Sequence, residues 1–180
     1  IIPVMILVGM AIPAAATLVR IEDTRNSELT IKVTGYQWRW HYEYLDRNVA
    51  FFSSLERKND AARQLDSDVD PATIDNYLLD VDKPLVVPVG KKVRVLLTAA
   101  DVIHAWWVPA FGMKKDAIPG FVNEIWFRAD TVGIYRGQCA ELCGRDHAFM
   151  PVVVDVRSEA DYDAWLKSQQ DGAKSASAAE

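Results

Sequence analysis

The residues with the most chemical potential fall within twelve positions, Cys139-Ala140-Glu141-Leu142-Cys143-Gly144-Arg145-Asp146-His147-Ala148-Phe149-Met150. Both cysteines of the chain are there, followed closely by an imidazole and a thioether. These are soft ligands, and a short loop anchored at both ends by strands can hold them in a rigid cup. Such a set wants a second neutral nitrogen. His104 can supply it from Asp101-Val102-Ile103-His104-Ala105-Trp106-Trp107, where an imidazole opening an apolar strand has no obvious local partner. Three chemistries compete. A Cys139–Cys143 disulfide closes too short a loop to gain much chain entropy and leaves His147 and Met150 without a role. Zinc on Cys139, Cys143, His147 and His104 satisfies tetrahedral counting, but the spacing is unlike common zinc modules and methionine is a poor zinc ligand. A thioether beside cysteine and two histidines is a copper electron-transfer set, and two thiolates can bridge two coppers.

A rigid loop needs strands, and the chain is rich in strand chemistry from Leu29 onward: short β-branched and aromatic runs separated by Gly, Pro, Asp and Asn. Tyr36, Trp38, Trp40, Tyr42 and Tyr44 alternate with Gln37, Arg39, His41 and Glu43, which predicts one strand with five aromatics on one face. Further strands are expected at 77–81, 85–89, 91–98, 103–108, 122–129, 133–137 and 152–156, with a turn at Val89-Gly90-Lys91. That pattern predicts an all-β sandwich or small barrel without internal repeats.

Length and composition agree. The chain has 180 residues, half of them hydrophobic and a quarter charged, which suits one globular domain with an appendage and excludes disordered and collagen-like classes. A formal net charge of −5 with no dense Lys/Arg cluster argues against nucleic-acid binding. Ile1 to Val19 carries no charge and only Thr17 as a polar side chain. As a helix it spans about 28 Å, one bilayer core, so residues 1–22 are expected to cross a membrane. A signal-peptide core with Ala14, Ala15 and Ala16 near a cleavage point competes, but it lacks a basic n-region and the run is long for it. The chain opens without methionine inside an apolar run, which predicts upstream residues and a first helix of a hairpin among them.

The soluble domain is expected over 23–157, with two departures from the β pattern. Residues 46–82 hold nine carboxylates against four basic residues, as large an excess as the net charge of the whole chain. They predict an acidic, partly helical excursion, either a solvated loop or a docking patch for a basic partner. Ser158 can cap a short helix through Lys167 carrying Tyr162, Trp165 and Leu166, and Ser168 to Glu180 is expected to be a disordered tail.

The pattern Cys-x-Glu-x-Cys-x3-His-x2-Met with the upstream Asp101-Val102-Ile103-His104-Ala105-Trp106 resembles the binuclear copper A site of cytochrome c oxidase subunit II. Tyr36 to Tyr44 resembles that family's aromatic strand, Lys115-Asp116-Ala117-Ile118-Pro119-Gly120 its inter-strand turn, and Tyr135-Arg136-Gly137-Gln138-Cys139 the approach to its loop. The resemblance covers roughly 1–166. It implies a cupredoxin-like Greek-key β-sandwich preceded by a transmembrane α-helix, on the outer side of a bacterial plasma membrane or, alternatively, the intermembrane-space side of a mitochondrial inner membrane. It implies two copper ions bridged by Cys139 and Cys143, capped by His104 and His147, with Met150 as a weak ligand and Glu141 binding through its carbonyl. The Glu141 side chain would also reach a magnesium ion shared with subunit I. Trp38 matches the point where electrons enter, and Glu43, Asp82 and Asp101 match acids that dock cytochrome c. Arg39 and His41 depart from the common pattern, Arg39 by placing a cation beside that point. The implied activity is transfer of electrons from cytochrome c to haem/copper centres held in subunit I, where oxygen is reduced and protons are pumped. A copper A domain of another reductase, such as nitrous oxide reductase, and a structural zinc module are the alternatives, while quinol oxidase subunits lack the cysteine pair.

Overall fold

The structure, a computed structural model, describes residues 1–177. Helix α1 (Ile2–Ile21) opens with Pro3 in its first turn, where a missing N–H costs nothing, and has Arg20 in its last turn. None of its residues is buried, and it is long and apolar enough to cross a membrane.

The rest is a two-layer sandwich. Strands β1 (Leu29–Tyr36), β2 (Arg39–Tyr44), β3 (Val49–Ser53), β4 (Leu85–Pro88) and β5 (Val93–Ala99) are followed by β6 (His104–Val108), β7 (Met113–Ala117), β8 (Asn123–Phe127), β9 (Gly133–Cys139) and β10 (Pro151–Arg157). One sheet runs β3-β2-β1-β5-β8 and the other β4-β10-β9-β6-β7. Parallel pairing of β1 with β5, in register from Leu29↔Val93 to Gly35↔Ala99, and of β4 with β10 makes the chain cross between layers. Period-two alternation decides what lies between the sheets. Ile31 and Val33, Trp40, Tyr42 and Tyr44, and Val93, Val95 and Leu97 face Leu85, Val87, Trp106, Val108, Val152, Val154 and Val156 in a continuous core. This is the cupredoxin-like sandwich the sequence implied.

Several expectations need correcting. The aromatic run is not one strand but a hairpin. β1 ends at Tyr36 and β2 begins at Arg39, paired Tyr36↔Arg39, with Gln37 and Trp38 at the tip. Trp40, Tyr42 and Tyr44 share the buried face, while Tyr36 and Trp38 are only half-buried. Alternation cannot see a turn whose hydrogen-bonding partners are remote in sequence. The strand expected at 77–81 is absent apart from a single bridge, Leu55↔Val81. Asn76 and Leu78 have positive φ, and the Leu78 N–H is taken by the buried Asn59 side chain rather than by a neighbouring strand. Within 115–120, Lys115 to Ala117 belong to β7, so the turn starts only at Ile118.

The acidic excursion is partly helical as expected. It contains β3, helix α2 (Arg57–Ala62) and a 3-10 turn at Pro71–Thr73. The C-terminal helix α3 (Glu159–Ser177) starts on Ser158, whose Oγ accepts from the Asp161 N–H. It runs ten residues past its expected end, so most of the supposed tail is helical, and 178–180 lie outside the described residues. Trp165 packs against Tyr44 and Phe51, and Gln170 Nε2 donates to the Arg47 carbonyl. Those two contacts continue the helix along the sandwich beyond its apolar residues.

The two sheets are also joined by a buried hydrogen bond pair. Tyr44 on β2 donates its hydroxyl to the Val86 carbonyl at 2.7 Å and accepts from the Val86 N–H at 2.9 Å, satisfying the free edge of β4. Tyr44→Phe strands both backbone groups in the core and should destabilise the domain by about 1–3 kcal/mol in urea denaturation, with the m-value unchanged.

Candidate metal centre

β6 and β9 are neighbours with Trp106 opposite Cys139, so the inward-facing set includes His104, Trp106 and Cys139. The loop between β9 and β10 is closed at its base by the Cys139 N–H donating to the Met150 carbonyl at 2.9 Å. Within it, Phe149 N–H bonds the Asp146 carbonyl and His147 N–H the Gly144 carbonyl, forming a 3-10 turn over His147–Phe149. The loop therefore returns its three ligand-type side chains to the point where His104 opens β6.

The distances are those of a cluster. Cys139 and Cys143 Sγ lie 3.8 Å apart. His104 Nδ1 is 3.9 Å from Cys139 Sγ, and His147 Nδ1 is 3.5 Å from Cys143 Sγ. The Glu141 carbonyl is 3.4 Å from Cys139 Sγ, while the Glu141 residue as a whole is exposed. His104, Cys139 and Cys143 present ligand atoms within 4.8 Å of one another, and all three are buried, as is Met150. Both cysteines are free thiols. Cys139, Cys143, His104, His147 and the Glu141 carbonyl are thus brought together, each thiol with its own imidazole, while Met150 is buried next to Cys139 across the backbone bond that closes the loop.

Electrostatics separates the two thiols. Burial pushes Cys139 up, but its hydrogen bonds with His104 and the neighbouring backbone outweigh that and bring it to about 7. Burial and the adjacent Cys139 charge push Cys143 up to about 12. Burial lowers His104, yet Cys139 and Asp101 outweigh it and leave the imidazole more basic than usual.

Asp101 explains much of this. Its carboxylate accepts from the Gln37 and Val102 N–H groups, each at 2.7 Å, and lies 2.9 Å from His104 Nε2. Those hydrogen bonds overcome the effect of burial and hold its pKa low. An ionised carboxylate only accepts, so Nε2 carries a proton toward Asp101, while Nδ1 faces the thiols, donating to the Cys139 thiolate when the imidazole is protonated and offering its lone pair when the imidazole is neutral. Asp101, expected on resemblance to dock a partner, is committed to the site.

The hairpin tip reaches the same loop. Gln37 Nε2 at 2.8 Å and Trp38 Nε1 at 3.2 Å both donate to the Cys143 carbonyl. Two glycines make these approaches possible. A Cβ on Gly35 would lie 2.7 Å from a His104 ring carbon, and one on Gly144, at φ +120°, would lie 2.9 Å from Gln37 Nε2 and 3.1 Å from the Trp38 ring. Gly35 and Gln37 were missed from sequence, although a glycine inside a strand pattern is itself a signal of close backbone approach.

The other expected residues lie farther out. Arg39 stacks its guanidinium on Phe52, 4.0 Å from the ring centre, and Arg145 is the cation over Trp38 at 5.6 Å. His41 packs at 4.7 Å against Phe52, which is exposed. Glu43 pairs with Lys32 at 3.3 Å, and Asp82 accepts from the Ser54 N–H at 2.8 Å.

The sandwich thus presents two buried thiols, each with an imidazole, a cluster that could hold a metal ion. Residues 29–157 match the family model for cytochrome C oxidase subunit II, periplasmic domain. The chain belongs to the cytochrome c oxidase subunit II family. It is 43% identical over 180 residues to cytochrome c oxidase subunit 2 of Cereibacter sphaeroides, covering 96% of this chain and 59% of that one. It is 40% identical over 172 residues to the same subunit of Branchiostoma floridae, covering 95% and 70%. The chain thus spans only about three fifths of its bacterial relative. The crystal structure of the periplasmic domain of subunit II of cytochrome oxidase from Bradyrhizobium japonicum aligns with TM-score 0.72 at 42% identity, covering 83% of this chain and 98% of that one. A mixed disulfide between a thioredoxin-like protein and subunit II of cytochrome c oxidase aligns with TM-score 0.66 at 42% identity, covering 84% and 96%.

The thiol environment makes a direct prediction for the metal-free chain. Ultraviolet thiolate absorbance should rise by one equivalent around pH 7 and by the second only on approach to about 12. His104→Ala removes a group that lowers Cys139, so the first midpoint should move to higher pH.

Proposed function

We propose that this chain is the electron-accepting subunit of a respiratory cytochrome c oxidase, taking single electrons from cytochrome c and passing them to haem/copper centres in subunit I, where oxygen is reduced to water and protons are pumped. The observation that carries this is the thiol pair at 3.8 Å with an imidazole on each sulfur. The donor set fits two copper ions. Paired sulfurs with one ring nitrogen each serve two metals alike, whereas a single tetrahedral zinc would use four of these donors and leave the Glu141 carbonyl and Met150 idle. In this reading Cys139 and Cys143 would be the ligands shared by the ions, His104 and His147 would each hold one of them, and Met150 and the Glu141 carbonyl would complete the set. Copper so held supplies one-electron redox chemistry with the charge spread over both metals.

The chain's own residues keep that exchange fast by not moving. Asp101 orients His104, the Cys139–Met150 backbone bond closes the loop, and Gln37 and Trp38 hold the Cys143 carbonyl. Trp38 is the proposed point where electrons enter, supported by its half-buried position and its hydrogen bond to Cys143. Glu43, Asp82 and the excursion give a basic cytochrome c its electrostatic guidance, with Asp101 contributing from the site itself. The exposed Glu141 carboxylate is proposed to meet magnesium at the subunit I interface. Helix α1 is proposed to anchor the domain outside a bacterial plasma membrane, which fits the periplasmic family model. A thioredoxin-like reductant of Cys139 and Cys143 is a further proposed partner, supported by the mixed disulfide solved for a relative.

Metal analysis of the copper-loaded full chain should find two coppers per chain with a mixed-valence visible and paramagnetic resonance signature. Cys143→Ser should abolish that signature, and its survival would refute bridging. Trp38→Phe should leave the signature intact while slowing electron uptake on the order of tenfold, about 1.4 kcal/mol of barrier, in stopped-flow mixing with reduced cytochrome c at low salt. An unchanged rate would remove Trp38 from the route.

A further inference from the structure

The acidic excursion touches the ligand loop through Arg63. We propose that α2 and the arginine that caps its C-terminus strap that loop down, with Arg63 as a positioning residue for His147. The inference rests on reading the Cys139–Met150 loop as the metal-binding loop.

Arg63 follows α2 directly, and its side chain is only 22% exposed. Its Nε is 2.7 Å from Asp60 Oδ1, which fixes the guanidinium against its own helix. The other end reaches across to the loop. Nη1 is 3.7 Å from Asp146 Oδ1, and the guanidinium carbon lies 4.3 Å from the centre of the Phe149 ring. Asp146 and Phe149 flank His147, and the Phe149 N–H bonds the Asp146 carbonyl to make the turn that carries it. Asp146 has a second cation, Arg145 at 3.4 Å, but that side chain is 82% exposed and its pairing is screened by water. Arg63 is the better-shielded partner, and a planar guanidinium can both pair with a carboxylate and lie on a ring.

A strap must be fastened at its own ends, and this one is. Glu56 caps α2 through the Lys58 and Asn59 N–H groups. Asn59 is buried and holds the Leu78 N–H, tying the helix to the return limb of the excursion. Asp80 on that limb pairs with Arg136 of β9 at 2.8 Å, three residues before Cys139. The excursion therefore grips the ligand loop on both sides, at β9 before Cys139 and at the turn around His147. A loosened turn would let His147 drift from Cys143, so Arg63 acts on the site without touching a sulfur.

The test uses the full chain in detergent, metal-free and copper-loaded, with Arg63→Ala and Arg63→Lys. Arg63→Ala should speed amide hydrogen exchange at His147 and Phe149 about tenfold and chelator extraction of copper by a similar factor, while β1 and β10 keep their protection. Arg63→Lys, which keeps the charge but not the planar group that lies on Phe149, should restore only part of both. Unchanged exchange and extraction in Arg63→Ala would overturn the proposal, as would general deprotection of β1 and β10, because Arg63 would then hold the fold rather than the loop. A wild-type chain that retains no copper would end the copper reading alone, since exchange in the metal-free chain still decides the strap.

Discussion

The Cys143 carbonyl is where the ligand-bearing loop of one sheet meets the hairpin tip of the other. It belongs to the loop between β9 and β10 of one sheet, and it accepts from Gln37 and Trp38 at the hairpin tip of the other. Gly144, next in sequence, lets the tip come that near. The loop is thereby held from outside as well as from its strands. The core supplies the strands' positions through general burial. The Cys143 carbonyl supplies the particular geometry, and Asp101 repeats the device one step away by bonding both the Gln37 N–H and His104.

Burying two thiols beside each other is costly to the metal-free chain. A buried thiolate needs positive charge or hydrogen bonds nearby, and a second one nearby is opposed by the first. The structure shows both effects: His104 and backbone groups bring Cys139 down to about 7, while Cys143 is pushed up to about 12. Cations between the sulfurs would reverse the second effect, because a bound metal deprotonates its thiol ligands. The conflict in the metal-free state is thus the complement of the affinity proposed for the loaded one.

Charge around the site is sorted by distance. Cations lie next to the aromatic tip, with Arg145 over Trp38 and Arg39 turned onto Phe52. The chain's carboxylate excess is concentrated in residues 46–82. That excursion is neither a plain solvated loop nor only a patch of charge. Its helix is capped, its Asn59 is buried, and two of its side chains reach the sheet and loop that carry the ligands.

The soft side chains of the loop, the long apolar helix and most strands were legible in the sequence, because each rests on short-range pattern: thiols, imidazole and thioether within a dozen residues, an uncharged apolar run, alternation of period two. Trp38 was legible only through resemblance, and its neighbours show why. Alternation made 36–44 one strand, whereas the partners that turn it at Gln37 and Trp38 come from Asp101 and Cys143, far along the chain. Leu78 leaves the β pattern because Asn59 offers its amide a partner, and α3 outruns its apolar residues because Gln170 finds the Arg47 carbonyl. Which residues could bind a metal is a property of side-chain chemistry and spacing, and the sequence by itself determined that. Which side chains anchor the Cys143 carbonyl and which arginine reaches the turn around His147 depended on groups far apart in the chain meeting in space, and only the tertiary structure decided those, since no local pattern encodes a contact between segments so distant in sequence.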